Sequence, residues 1–412
     1  MKTDSSTSVS AETFTPANRA VRHAASVAPG QTALYDTQAA ALVFCCGIVF
    51  KVSSLPGLVA ERMLSGTLWL YLFMLAVDAL SLAAVLSFAR CGGARVLAER
   101  KDIPFRVFSA ASSLWLILKG VIYFGYTVVF LMVDLFEAVP PYVVIIVLAL
   151  PVLYLGVKGL RSVARCAELF APVLFLLVLF NLALLETDLD FGRNLPLAAM
   201  PSENFFARGL TFGMWLGDLI PLAFAEVKRR RKFPALPVGA GVSYALVAVI
   251  AMLAVAMYGA ALPYAYNMLI RIAGFNKLSL EIGRMEWAAI FVVIVMAVLA
   301  LSLHFWGARE GCRLATGSSL PASLLFAAGI IFIPLAIPAL QDVIAFSTTE
   351  FGYAAFAVSV ALSLSAAALT LRTKRLLAEV PRTLPETPGA SPPSAPTDPA
   401  DGRPEDKETA DE

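Results

Sequence analysis

The feature of this 412-residue chain that most constrains its fold is a succession of long apolar stretches. Hydrophobic residues make up 59% of the chain and charged residues 15%, which is more apolar than a soluble domain needs to be. Because a helix of about 20 apolar residues spans the bilayer core, each stretch is a candidate transmembrane helix. We therefore predict an all-α integral membrane protein with ten such helices. They lie approximately at residues 34–60, 65–89, 105–131, 142–157, 166–186, 205–227, 236–262, 284–306, 320–340 and 351–371.

Composition divides the chain into three regions. Residues 1–32 are rich in Ser, Thr and Ala without an apolar core, so we predict a disordered tail and not a cleaved signal peptide. Residues 33–379 carry the predicted helices and form one transporter-like membrane domain. Residues 380–412 hold eight prolines and eight acidic residues in 33 positions, which predicts a disordered tail. That tail is either a solvated spacer or an interaction arm.

The cations predict the orientation in the membrane. If the N-terminus is cytoplasmic, the outside loops contain only Arg62, Arg193, Arg208, Arg271, Lys277 and Arg284. The inside loops contain Arg90, Arg95, Arg100, Lys101, Arg106, Lys158, Arg161, Arg165, the run 228–232, Arg309 and Arg313. An excess of Lys and Arg is typical of cytoplasmic loops, so we predict that both termini are cytoplasmic. As a basic segment beside a membrane helix, the run 228–232 implies no nucleic-acid partner.

The sixth predicted helix contains residues that interrupt helices. Gly209, Gly213 and Gly217 recur at every fourth position, so on a continuous helix they would line one face. Pro221 removes a backbone donor, and Asp218 is a carboxylate within an otherwise uncharged run. Two interpretations remain open. The segment is either a kinked packing helix with a buried acid, or a discontinuous helix that lines a ligand cavity.

The first predicted helix has a comparable set of interrupting residues. They are Gly47, Lys51, Ser53, Ser54, Pro56 and Gly57. Breaks in the first and sixth of ten helices predict a five-plus-five inverted repeat with discontinuous helices 1 and 6. Half-helix termini and unwound backbone at such breaks can hold the charged ends of a small ligand. The candidate ligand-binding residues are Gly47, Ser53, Ser54, Pro56, Gly57, Gly209, Gly213 and Gly217.

Four ionisable residues lie near the middle of predicted helices. They are Lys51, Asp78, Lys119 and Asp218. Two cations and two acids can neutralise one another, and the predicted fold makes a contact between Lys51 and Asp218 plausible. The contact is either a purely structural ion pair or a coupling site in which the Lys51 ammonium replaces a bound cation.

The sequence argues against several other classes of function. The five cysteines lack metal-ligand spacing, and the two histidines cannot form a zinc site alone. His304, which the predicted bounds place near a helix end, is interpreted as a packing or interface residue. No constellation of nucleophile and base supports an intramembrane enzyme. We therefore predict neither a metal site nor a cofactor.

Three stretches carry a family resemblance. They are GLRSVARCAELFAP (159–172), NLPLAAMPSENFFARGLTFGMWLGDLIPLAF (194–224) and LEIGRMEWAAIFVVIVMAV (280–298). Their order and spacing resemble the permease-type B subunit of spore germinant receptors, a branch of the amino acid, polyamine and organocation transporter superfamily. The last stretch resembles that family's Arg-apolar-Glu pattern before the eighth helix, at Arg284 and Glu286. The resemblance extends over residues 35–372.

This resemblance implies a multi-pass protein of the spore inner membrane or cell membrane. Such a protein would work with A and C subunits and bind a small nutrient, such as an amino acid, between helices 1 and 6. The alternative is an amino-acid or amine symporter of the same superfamily, which would use the same pocket. The two differ because a symporter needs alternating access and a coupling site, whereas a sensor needs only a conformational change that its partners detect.

Overall fold

The computed structural model describes most of the predicted membrane domain. The two predicted tails, most of the basic run 228–232, Ser54 and residues 275–285 lie outside the described residues. The described ranges are 32–53, 55–62, 66–134, 139–185, 189–194, 205–228, 234–264, 267–274, 286–336 and 348–379.

The described residues are predominantly helical. The α-helices are α1 (Asp36–Gly47), α2 (Val49–Ser53), α3 (Leu55–Arg62), α4 (Thr67–Arg90), α5 (Gly93–Glu99), α6 (Ile103–Asp134), α7 (Pro141–Lys158), α8 (Leu160–Ala183), α9 (Phe205–Leu210), α10 (Ala235–Tyr258), α11 (Met268–Gly274), α12 (Glu286–Thr316), α13 (Leu320–Ala336) and α14 (Glu350–Ala378). Short 3-10 helices occupy Phe191–Asn194, Gly213–Trp215, Ile220–Phe224 and Gly259–Tyr264. Two strands, β1 (Ala33–Tyr35) and β2 (Glu226–Lys228), complete the description.

Length and apolarity identify an α-helical multi-pass membrane protein. Within the described residues, eight helical segments are long and apolar enough to cross a membrane. Two shorter apolar segments, Gly213–Phe224 and Leu320–Pro334, correspond to the sixth and ninth predicted helices. Several predicted bounds were wrong by more than a turn, because the helices extend past the apolar core: α8 begins at Leu160, α12 ends at Thr316 and α14 ends at Ala378.

The sixth predicted helix is not a helix over most of its length. We call residues 205–224 the interrupted segment. Its α-helix, α9, ends at Leu210, and two 3-10 turns separated by extended backbone follow. Gly217 has φ +71°, a left-handed conformation that a side chain disfavours, and Pro221 begins the second turn without needing a donor. Glycine and proline thus keep the second half of the segment from forming a continuous helix, in the region where the sequence predicted a break.

The first predicted helix is broken in a milder way. α1 ends at Gly47, α2 covers one turn and a half, and α3 carries the chain on to Arg62. Pro56 does not end this span, since it occupies the second position of α3, where no backbone donor is required.

A two-stranded parallel sheet joins the two broken regions, which an all-α prediction did not include. Ala33, Leu34 and Tyr35 of β1 pair with Glu226, Val227 and Lys228 of β2, respectively. The start of the first span and the end of the interrupted segment therefore lie at the same side of the molecule. Each strand has three residues, so neither carries a recognisable alternating pattern in the sequence.

The centre of the protein is formed where α6 and α12 pack along each other beside the interrupted segment. Small residues permit this approach, because a Cβ at Gly307 would lie 2.7 Å from Pro221 Cβ and 2.9 Å from Leu116 Cδ1. A Cβ at Gly311 would lie 2.8 Å from the Ser109 carbonyl oxygen. This packing seats the middle of the interrupted segment against α6.

Candidate functional site

Four charged side chains from four separate elements meet at the centre of the protein. We call Lys51 of α2, Asp78 of α4, Lys119 of α6 and Asp218 of the interrupted segment the charge cluster. Each is buried, with no more than 4% of its surface exposed. The cluster has two positive and two negative groups, so it is neutral as a whole. Mutual pairing offsets the large cost of burying ions that isolated charges would incur.

Lys51 joins the two acids. Its ammonium contacts Asp218 directly and lies 3.2 Å from Asp78 Oδ2. It also donates to the Gly47 carbonyl oxygen at 2.8 Å. The break after α1 explains this last bond, since the backbone N–H of Lys51 bonds to Ile48 instead of Gly47. The Lys51 ammonium therefore lies among oxygen atoms from both broken regions, in the manner of a bound cation.

Lys119 binds the interrupted segment from α6. Its ammonium lies 2.7 Å from Asp218 Oδ1 and donates to the Leu216 carbonyl oxygen at 2.5 Å. The Ser359 hydroxyl donates to the same carbonyl at 3.2 Å. Backbone that leaves a helix inside a membrane must find other partners, and here side chains of α6 and α14 supply them.

Three tyrosines, which the sequence reasoning missed, complete the hydrogen bonding. Tyr123 donates to Asp218 Oδ1 at 2.8 Å and lies 2.9 Å from the Met214 carbonyl oxygen. Tyr244 donates to Asp78 Oδ2 at 2.9 Å, and Tyr71 donates to the Lys51 carbonyl at 2.9 Å. One signal was available for Tyr123, because it follows Lys119 by four residues and shares its helix face.

Asp78 binds both the backbone of the interrupted segment and the ammonium of Lys51. Its Oδ1 accepts the N–H of Gly217 at 2.8 Å, at the left-handed turn of the interrupted segment. Among the described residues, its ion pair is with Lys51, whereas Asp218 pairs with both lysines. The two acids are thus unequal in their dependence on Lys51.

The glycines of the interrupted segment do not line one helix face, which corrects the interpretation of their spacing. A Cβ at Gly209 would meet Leu70 Cδ1 at 2.4 Å, whereas one at Gly213 would lie 2.2 Å from the backbone nitrogen of Phe356. Gly217 instead provides the left-handed turn. Because the helix ends at Leu210, the three positions point to different elements, and Gly213 is a close-packing residue against α14.

The candidate residues of the first span lie in the same region of the fold. A Cβ at Gly47 would be 3.1 Å from Leu219 Cδ1, so this glycine packs closely against the interrupted segment. Ser53 is buried at the end of α2, and Pro56 and Gly57 are buried in the first turn of α3. Ser54 lies outside the described residues.

Two polar atoms near the charge cluster lack hydrogen-bond partners within the described part of the chain. They are Nε1 of Trp215 and Nε2 of His304, and both side chains are fully buried. His304 lies in the middle of α12, with its ring 5.7 Å from that of Tyr123, so the interpretation that placed it near a helix end was wrong. The predicted bound at residue 306 was ten residues too early.

The described residues contain no group of three or more His, Cys, Asp or Glu side chains that could hold a metal ion. The charged and hydroxyl groups that meet in the site are two lysines, two carboxylates and three phenols. These groups can exchange ion-pair partners, move protons and hold the charged ends of a small polar ligand.

A comparison with protein families found one match. The family described as spore germination protein matches residues 108–343, which is more than half of the chain. This range contains Lys119, Tyr123 and Asp218 of the site. A search of curated proteins found no match.

Proposed function

The chain belongs to the family of spore germination proteins, and we propose that it is the B-type membrane subunit of a spore germinant receptor. The match confirms the family resemblance predicted from the sequence and makes this a germination-related membrane protein of the permease type. In the proposed function, the protein binds a small nutrient, such as an amino acid, between its first span and the interrupted segment. It then signals with A and C subunits in the spore inner membrane.

The observation that carries the proposal is the contact of both broken regions with one buried charge cluster. Lys51 holds Gly47 and Asp218 together, and Asp78 holds Gly217, so the two breaks are coupled through four charged groups. A ligand with an ammonium and a carboxylate can compete for the same partners. Its binding would shift the two broken regions relative to each other, which is the conformational difference that a sensor needs.

The candidate ligand-binding residues remain part of this proposal. In the first span they are Gly47, Ser53, Ser54, Pro56 and Gly57, and in the interrupted segment they are Gly209, Gly213 and Gly217. To them we add Trp215, whose indole N–H is buried beside the rings of Phe212 and Tyr126. An unpaired buried donor costs about 1–3 kcal/mol, and a ligand carboxylate would relieve that cost.

The proposal is tested first by a binding screen. Purified protein is expected to gain thermal stability with one or a few of the standard amino acids, tested singly, because a ligand that binds the native state stabilises it. If none of them raises the unfolding temperature or produces a calorimetric signal, the ligand is not an amino acid.

Trp215→Phe is expected to weaken nutrient binding. The substitution keeps an aromatic ring but removes the N–H, and a hydrogen bond to a charged group contributes enough free energy that affinity should fall about tenfold. Titration calorimetry with the amino acid found in the screen measures this change. The control is Trp69→Phe, since Trp69 is 42% exposed on the outer surface of α4. Equal affinity of both variants and the wild type would exclude Trp215 from the ligand site.

A self-sufficient amino-acid or amine symporter is the alternative, and the charge cluster is the observation that favours it. Lysine and carboxylate groups that exchange partners provide a coupling site for protons. Uptake of labelled nutrient by vesicles that contain this protein alone would support the symporter. Binding without uptake, together with a requirement for A and C subunits in spores, would support the receptor.

The proposed architecture has ten crossings, an inverted repeat and cytoplasmic termini. The pairing of β1 with β2 supports an even number of crossings between them. Five long spans lie between the two strands, so the interrupted segment would be the sixth crossing.

The orientation is tested by labelling at two loop positions, both of which lie outside the described residues. Single cysteines at Asp188→Cys and Arg230→Cys are expected to react with a membrane-impermeant maleimide from opposite sides, the second from the cytoplasm. Background labelling is removed by replacing the five native cysteines with alanine. Reaction of both positions from one side would contradict the sixth crossing and the repeat with it.

A further inference from the structure

Unpaired polar atoms are concentrated on α6 and its neighbour α12. Within the described residues, seven buried side-chain atoms have no hydrogen-bond partner. Four of the seven are Ser109 Oγ, Ser112 Oγ and Trp115 Nε1 of α6, and His304 Nε2 of α12. We call these four residues the polar seam. Leaving a buried polar atom without a hydrogen-bond partner costs about 1–3 kcal/mol. A group of four such atoms therefore indicates a hydrogen-bond partner other than the protein itself.

The polar seam leads away from the charge cluster along one helix face. Ser112 precedes Lys119 by seven residues, about two helical turns, so both side chains point in the same direction. Trp115 lies between them on this face, and Ser109 lies one turn further out. At about 1.5 Å per residue, the seam covers about 15 Å from Lys119 to Ser109. His304 marks its inner end, where its ring meets that of Tyr123.

The outer end of the polar seam lies close to a cavity, with Gly311 and Phe224 between them. The Ser109 carbonyl lies against Gly311, and a Cβ at Gly311 would be 3.1 Å from the Phe224 ring. Phe224 lines a cavity of about 400 Å³, together with Arg95, Glu99, Glu310 and Leu314. Thr32, which immediately precedes β1, also lines this cavity, so it lies on the side of the membrane where the first span begins.

We propose that the polar seam holds a file of buried water molecules that connects the cavity behind Phe224 with Lys119 in the charge cluster. Water provides both donors and acceptors, so it can satisfy two hydroxyl groups, an indole N–H and an imidazole nitrogen in succession. The file gives the charge cluster contact with water from one side of the membrane, which the cation distribution predicts to be the cytoplasm. This route is independent of nutrient binding and goes beyond the proposed function.

Isotope exchange at engineered thiols tests the route, with D₂O as the probe. Ser109→Cys and Ser112→Cys are made separately in the full chain with its five native cysteines replaced by alanine. The infrared S–H band is followed after transfer to D₂O. We expect both thiols to exchange roughly tenfold faster than a thiol at Ser113, since a file of water reaches the first two positions only.

Ser113 is a matched control because it is the neighbour of Ser112 on the same helix and at the same depth. Its hydroxyl donates to the Ala308 carbonyl at 2.7 Å, so it has no need of water. Ser113 is 5% exposed and Ser112 is fully buried, so exposure alone would make position 113 exchange faster. Exchange at 109 and 112 that is no faster than at 113 would show that the seam is dry.

A second measurement tests the direction of the route. Ser109→Leu in the Ser112→Cys protein is expected to slow exchange at position 112 by about tenfold, because it fills the seam between that position and the cavity. Ser109→Val serves the same purpose if the leucine variant does not fold, as judged by its unfolding temperature. Unchanged exchange at position 112 in a folded variant would overturn this route. Neither result depends on the nutrient response, so failure here leaves the receptor proposal standing.

Discussion

Lys51→Met is expected to destabilise the protein by about 3–5 kcal/mol, the usual cost of removing one member of a buried ion pair. The loss of stability is expected to arise at Asp78. Without Lys51, Asp218 retains Lys119, but Asp78 loses the ammonium that lies 3.2 Å from it. The variant would therefore bury an uncompensated carboxylate. Denaturant or thermal unfolding of the purified protein measures the change in free energy.

The unequal pairing of the two acids predicts which second substitution restores stability. Adding Asp78→Asn to Lys51→Met leaves the neutral pair of Lys119 and Asp218, so most of the lost stability should return. Adding Asp218→Asn leaves Asp78 and Lys119 without their partners, and stability should not return. The nutrient response should be absent from all of these variants if Lys51 serves the ligand site.

Lys228→Met is the control for loss of a lysine as such. Lys228 lies 3.1 Å from Glu226, but its side chain is 40% exposed, and exposed ion pairs contribute at most about 1 kcal/mol. Equal stability of the two double variants would show that the charge cluster does not have the pairing described above. A normal nutrient response of Lys51→Met would remove Lys51 from the function.

Gly213→Ala is expected to cost at least about 3 kcal/mol, the upper end of the usual overpacking range. The new Cβ would lie 2.2 Å from the backbone nitrogen of Phe356 and 2.4 Å from its Cα. A side chain can rotate away from a clash, but the backbone of α14 cannot, so the interrupted segment and α14 must separate. Thermal unfolding measures the loss of stability.

Gly352 tests the same contact from the opposite element. A Cβ at Gly352 would lie 1.8 Å from the Thr211 carbonyl oxygen, so Gly352→Ala should be comparably destabilising. The double variant should lose less than the sum of the two, because one separation relieves both clashes. Gly241→Ala is the control, since a Cβ at Gly241 of α10 would meet nothing within 4 Å. Strict additivity, or tolerance of both substitutions, would contradict the close contact.

The membrane helices and their breaks could be predicted from the sequence because both are local properties. A run of apolar residues inserts wherever it lies in the chain, and Gly217 and Pro221 disfavour a helix whatever surrounds them. The family also followed from the order of such local blocks. The bounds were less accurate at α8 and α12, since those helices continue past the apolar core into turns that contain charged residues.

The arrangement of the site required the tertiary structure. The sequence identified Lys51, Asp78, Lys119 and Asp218 by charge alone, since an ion within an apolar run needs a partner. It left open which acid pairs with which lysine, because those contacts join residues as far as 167 positions apart. Tyr123 and Tyr244 were missed for a related reason: a tyrosine in a membrane helix is ordinary until the fold brings an acid to its hydroxyl.

What the sequence by itself determined is therefore the eight long apolar helices, the two broken regions and the charged residues, each fixed by the cost of placing a given residue in lipid. The tertiary structure alone decided that Lys51 holds both acids, that Asp78 binds the turn at Gly217 and that β1 pairs with β2. These contacts depend on how whole helices cross one another. The crossing geometry is set by close packing between elements, such as that of Gly213 against Phe356. A single stretch of sequence contains only one of the two surfaces that pack together.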